Sequence, residues 1–319
     1  MARLLTALAI VLAGLSSACA QAFPSGLIRL IVPFTPGGSN DVVAREIANG
    51  LQSRFKQTAI VENKAGGGGT IGYTFVAKSP PDGHTLLIAP ASFTIGPHLS
   101  RNPAYNPVTD FAPITLVADV PFVMVVPASL PARSVKEFIE LAKALPNKLT
   151  FASVGVGTPQ HLGGELFKMR AGVDLIHVPF RGATAVIPEL LAGRVDMFIG
   201  AINSLLPLIR EGKLRALAAA RLTRIVSLPD VPTLADAALP GFEIGSGVGL
   251  VAAASTPRPS IETLHREVSE IIADPAFHQR MAAIAVDVVG TTPDAYAKII
   301  KNDYEKWGRV VAAAGIKPE

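Results

Sequence analysis

The chain has 319 residues, 49% of them hydrophobic and 17% charged, with a net charge of +4. That balance fills one large or two medium cores and excludes a disordered chain. The slight basic surplus forms no Lys/Arg run, so nucleic acid is not an expected partner, and the single cysteine, Cys19, excludes a disulfide framework within the chain.

The expected elements begin with an export signal. Residues 1–20, MARLLTALAIVLAGLSSACA, carry an early Arg3, an uncharged apolar stretch from Leu4 to about Leu15, then Ala18-Cys19-Ala20, which fits an A-x-A cleavage site. A periplasmic location follows, with no cysteine in the mature chain. A lipid anchor on Cys19 is the weaker alternative, because Ser16 stands where lipoprotein signals prefer Leu. No later segment reaches the roughly 18 uncharged apolar residues of a membrane span.

Beyond the signal, apolar β-like runs alternate with amphipathic helices. Strands are expected at 27–34, 57–62, 85–89, 122–126, 150–153, 175–178, 197–199, 214–219 and 249–253. Helices are expected at 41–55, 134–144, 159–170, 184–191, 260–273, 276–284 and 293–313. The alternation predicts an α/β fold of βαβ units, with mostly parallel sheets flanked by helices. Two proline-rich stretches, PFVMVVPASLPARS (121–134) and SLPDVPTLADAALPGFEIGSG (227–247), read as crossings between domains. Domain 1 would then be 21–124 with 241–319, and domain 2 an inserted 125–240.

Four strand-to-helix junctions carry the candidate chemistry. The first is PFTPGGSNDVVAR (33–45), where Thr35, Gly37, Gly38, Ser39 and Asp41 lie in a loop without Lys or Arg. Glycine lets a ligand approach the backbone, and a helix start offers unpaired N–H groups with partial positive charge. This is an anion site that needs no cationic side chain; the plainer reading is a tight turn capped by Ser39 or Asn40. The second, FASVGVGTPQHLGGELF (151–167), repeats the design with Gly157, Thr158 as N-cap, Pro159 at the first helical position and His161 in the first turn. LLIAPASFTIGP (86–97) ends a strand at Ser92 and Thr94. HVPFRGATAVIPELLAGRVDMFIG (177–200) sets Arg181 and Gly182 between strand and helix, with Arg181 the candidate cationic contact.

Gly67 to Gly72 matches G-x-G-x-x-G, but the helix that follows is short before Pro80-Pro81, and the strand at 85–89 brings no acid. It reads as a loop packed near the cleft rather than a dinucleotide site. No nucleophile elbow, zincin motif, Walker loop or assignable acid/base pair is present, so neither catalysis nor a metal or cofactor is expected.

Taken in order, PFTPGGSNDVVAR, VENKAGGGGTIG, SPPDGHTLL, YNPVTDFAPIT, GTPQHLGGELF, HVPFRGATAVIPELLAGRVDMF and LPDVPTLAD closely resemble the substrate-binding proteins of tripartite tricarboxylate transporters, the Bug family, from about Pro24 onward. The resemblance implies a two-lobed type II periplasmic-binding-protein clamshell, acting as a monomer and not as an enzyme. Such a receptor holds a small carboxylate through backbone amides, hydroxyls and waters, and delivers it to membrane permease subunits. Carried onto this chain, the ligand loops are Thr35, Gly37, Gly38, Ser39 and Asp41; Gly157, Thr158 and His161; Ser92 and Thr94 at the lobe junction; and Arg181 and Gly182. Two departures stand out: Phe180 where Tyr is usual, and Val154 and Val156 where small polar residues are common. Both make the cleft more apolar, so a ligand with an apolar or aromatic part beside its carboxylate is expected. The alternatives are a receptor that signals to a membrane sensor, or an enzyme on the same scaffold.

Overall fold

The computed structural model describes residues 23–319 apart from 246, 314, 317 and 319. The expected signal segment, with Cys19, lies outside the described residues.

In β1 (Ile28–Val32), Ile28, Leu30 and Val32 enter one apolar core and Ile31 enters another. In β3 (Thr85–Pro90), Leu86 and Ile88 join the first core, Leu87 and Ala89 the second. In β5 (Phe122–Pro127), Phe122, Met124 and Val126 face one core and Val123 and Val125 another. A two-residue period with both sets apolar is the signature of a strand covered on both faces. Each such side chain contributes about 1.5–3 kcal/mol by leaving water.

The remaining strands are β2 (Ala59–Asn63), β4 (Phe111–Asp119), β6 (Thr150–Ser153), β7 (Ile176–Pro179), β8 (Met197–Ala201), β9 (Leu214–Ala219), β10 (Gly247–Ala253) and β11 (Asp287–Val288). They form two sheets, ordered β11-β4-β10-β3-β1-β2 and β7-β6-β8-β5-β9. Helices Ser39–Phe55 and Arg258–Ile272 cover one face of the first sheet, and helix Thr70–Ala77 the other. The second sheet lies between helices Val135–Ala144 and Pro159–Ala171 on one side and Ala183–Leu191 and Ile202–Arg210 on the other. This is the expected two-lobed α/β architecture.

The sheets are mixed rather than mostly parallel. β1–β2, β1–β3, β6–β7 and β6–β8 run parallel, while β10–β3, β10–β4, β11–β4, β5–β8 and β5–β9 run antiparallel. The reason is connectivity. The chain leaves the first sheet after β4 and enters the second as β5, with only Val120 and Pro121 between. β5 and the returning β10 therefore insert against the βαβ direction. The helix Pro293–Ala313 then joins the lobes: Tyr296 and Ile300 belong to a core of the first sheet, Trp307 and Val311 to a core of the second.

Candidate functional site

Four helices begin at one cleft between the lobes, which encloses about 150 Å³. Its wall includes Gly38 and Asn40 at the start of helix Ser39–Phe55, Thr158 and Gln160 at helix Pro159–Ala171, Gly182 and Thr184 at helix Ala183–Leu191, and Asn203 and Ser204 at helix Ile202–Arg210. Apolar surface fills the gaps: Phe34, Phe122, Val154 and Ile187. Among the described residues, no Lys, Arg, His, Asp or Glu lines it. Unpaired first-turn N–H groups and aligned peptide dipoles are thus the main source of positive potential.

The helix starts are held open to the cleft. Gly38, not Ser39 or Asn40, occupies the N-cap of the first helix and supplies no side-chain cap. Thr158 is an N-cap in backbone position only. Its hydroxyl turns back and donates to the Gly155 carbonyl at 2.7 Å, leaving the helix N–H groups uncapped. Gly182 caps the third helix at φ +109°, a conformation that favours glycine. The fourth helix starts directly from β8, without a loop. Ser39 Oγ reaches across the cleft and donates to Asn203 Oδ1 at 2.9 Å.

Of the sequence-derived candidates, Thr35, Gly37, Gly38, Ser39, Ser92, Thr158 and Gly182 line the cleft. Five do not. Asp41 is buried behind the loop, where its carboxylate accepts from Gly37 N (3.1 Å), Asn63 Nδ2 (2.9 Å) and Arg45 Nε (2.9 Å). Burial opposes its charge, but hydrogen bonds from Arg45, Asn63 and Gly37 prevail and hold the carboxyl below its ordinary value. Gly157 donates its N–H to His161 Nδ1 at 3.3 Å, and the His161 ring stacks on His177, with 4.2 Å between centroids. His177 Nε2 pairs with Ser153 Oγ at 2.7 Å. Burial lowers both imidazoles, His177 to about 4, so the pair is a neutral buttress beneath the second loop. Arg181 is exposed and does not line the cleft. Thr94 lines a second cavity of about 250 Å³ behind the cleft, among Asp119, Glu243, Asp303 and Lys306.

The sequence reading missed Asn40, Gln160, Asn203 and Ser204. Of the unusual apolar residues, Val154 lies in the cleft wall, while Val156 is exposed beside it and Phe180 packs into a core. The glycine run forms a tight turn at Gly67–Gly69 and then helix Thr70–Ala77. A Cβ on Gly68 would stand 3.1 Å from the Val156 carbonyl, so this loop meets the opposite lobe.

Residues 43–316 match the family model described as "Tripartite tricarboxylate transporter family receptor". The chain belongs to this family. It is 35% identical to Protein BugT of Bordetella pertussis over 322 residues, covering 99% of each chain. Among solved structures, the periplasmic binding protein BugD matches with a TM-score of 0.87 and 34% identity, covering 93% of this chain and all of that one. An R. palustris protein solved with adipate matches with a TM-score of 0.88 and 32% identity, at the same coverages. The chain is therefore a solute-binding receptor of a periplasmic family. No described helix is long and apolar enough to cross a membrane.

Proposed function

We propose that this receptor captures a small carboxylate in the cleft and delivers it to a membrane permease, without chemistry of its own. The observation behind this reading is a wall without charged side chains on which four helix N-termini converge. Charge-assisted hydrogen bonds contribute roughly 1.5–3 kcal/mol each. Four or five of them, less the costs of association, give the roughly 8 kcal/mol of a micromolar complex. In this reading Gly38 and Ser39 offer main-chain donors from one lobe, where the Gly37 N–H is held by Asp41, Gly182 and the first turn after Thr158 offer them from the other, and Thr35 adds a hydroxyl. Ser92 closes the floor, where its Oγ lies 2.7 Å from Tyr73 OH. Asp41 and His161 act behind the loops, holding the backbone donors in place. Phe34, Phe122, Val154 and Ile187 favour a ligand with an apolar or aromatic portion over a citrate-like one.

A thermal-shift screen against di- and tricarboxylates, amino acids and aromatic acids tests the reading. Ligand at about 100 times its Kd adds about 2.7 kcal/mol and a visible rise in Tm. The expected hit disappears in Gly38→Val and in Thr158→Val and survives the exposed Lys143→Ala. A screen in which no carboxylate shifts Tm overturns the proposal. Citrate binding more tightly than every aromatic or aliphatic monocarboxylate overturns the apolar preference.

A further inference from the structure

A second cavity, of about 250 Å³, lies behind the cleft, and the two share the Pro90-Ala91 turn as a wall. The three connections between the lobes border it. Asp119 ends β4 just before the first crossing, and Glu243 and Gly245 belong to the returning one. Asp303 and Lys306 lie in helix Pro293–Ala313, between Ile300 of one core and Trp307 of the other. The wall's charges are unbalanced, with three carboxylates to one ammonium. Lys306 Nζ stands 5.0 Å from the centroid of the Trp307 ring. Burial raises the Asp303 carboxyl above its ordinary value, and Lys306 opposes this only in part.

The Tyr296 hydroxyl points to the same space. Tyr296 is 4% exposed and lines the cavity, yet among the described residues its oxygen has no hydrogen-bond partner. Buried tyrosine hydroxyls normally find one. The oxygen rests on Gly249, where a Cβ would collide with it. Gly249 is paired between Ala89 and Leu116, and both of these line the cavity. Among the described residues, the unpaired side-chain oxygens sealed within the protein are those of Asn40, Thr74, Gln160, Ser227 and Thr256. The Tyr296 oxygen is not one of them: it opens on the cavity, with lone pairs that can accept.

We infer that this cavity binds a small organic ammonium ion, with the Tyr296 oxygen accepting from its N–H and Asp303 and Glu243 balancing its charge. Phe93, Leu116 and Trp307 give the hydrocarbon part an apolar wall, and aromatic faces attract cations. A metal ion suits the wall less well, because among the described residues no three of His, Cys, Asp and Glu gather as a ligand set. The site is separate from the carboxylate cleft and stands whether or not that reading holds. Its occupant touches all three connections, so binding favours whichever setting of the lobes shapes the cavity best.

Trp307 is the only tryptophan in the chain and lines the cavity, so its fluorescence reports on the site. The purified protein is titrated with ethylammonium chloride, which replaces sodium chloride at constant ionic strength. The expected result is a saturable change in emission. Tyr296→Phe, which keeps the ring, and Asp303→Asn should each raise the Kd at least about tenfold, since each removes a charge-assisted contact. Glu243→Gln, at an exposed position, should raise it about threefold. Circular dichroism checks the fold of all three. A response that is absent or never saturates overturns the inference. An equal response to potassium chloride overturns the assignment to an organic ammonium. A Kd unchanged in all three variants places the ion elsewhere and overturns the site.

Discussion

Asp41 has the chemistry of a ligand contact and the position of a fastener. Its carboxylate gathers Gly37, Asn63 and Arg45, and Asn63 also donates to the Phe34 carbonyl at 3.0 Å, so the first loop is tied at both ends. Asp41→Ala should cost about 2–4 kcal/mol in urea unfolding and weaken carboxylate binding about tenfold, since it orphans buried donors. The imidazole buttress gives a second expectation. His177 is held near 4 against an ordinary 6.5, chiefly by burial and then by His161 and Lys168; Glu165 acts in the opposite sense on His161. Because the unfolded chain takes up this proton first, stability is intact above about pH 6.5 and falls as the pH drops toward 4. His177 is partly solvated, so the loss is only about 1–2 kcal/mol. His177→Gln should lose less Tm than the parent between pH 7 and 4.5. The glycines and Thr158 were legible in the sequence because backbone geometry demands those residue types. Asn40, Gln160 and Asn203 were not, because a polar residue in a first helical turn is ordinarily just solvated.

At the scale of elements, the strands and helices that the alternation predicted are present, with ends displaced by a few residues. The misses have local causes. β4 (FAPITLVAD) is masked in the sequence by Pro113, which cannot donate to a ladder; in the fold Pro113 sits opposite Val251, beside a register shift. The cleft-forming helix Ile202–Arg210 is masked in the sequence, since it contains Pro207 and starts without a side-chain cap. The excess of antiparallel pairing was hidden because alternation reveals βαβ units, not which strand the chain later inserts between them. Packing between elements can be tested at Gly50, where helices Ser39–Phe55 and Arg258–Ile272 touch. A Cβ there would lie 2.6–2.8 Å from three side-chain atoms of Ile271. Gly50→Ala should therefore destabilise by about 1–2 kcal/mol, overpacking outweighing the gain in helix propensity. The cost should largely vanish in an Ile271→Ala background, as a double-mutant cycle would read.

At the scale of the whole molecule, the lobes are joined by the Ser39–Asn203 hydrogen bond and by the approach of Gly68 to Val156. Gly68 has φ +64°, which Asn tolerates better than most residues. Gly68→Asn should then leave the Tm of the ligand-free protein within about 2 °C and raise the Kd of a carboxylate several-fold by obstructing closure. Scattering measurements should find its radius of gyration unresponsive to ligand. The helix Pro293–Ala313 binds the lobes in another way, because Trp307 and Val311 complete the core of the lobe that contains β5 to β9, whose first strand starts at Phe122, about 185 residues before Trp307. A ribosome making this chain delivers nearly every strand before the residues that close either core. The lobe of β1 cannot reach its final packing until Ile300 has been made, nor its partner until Val311 has, so the nascent chain stays unfinished until the end of its synthesis.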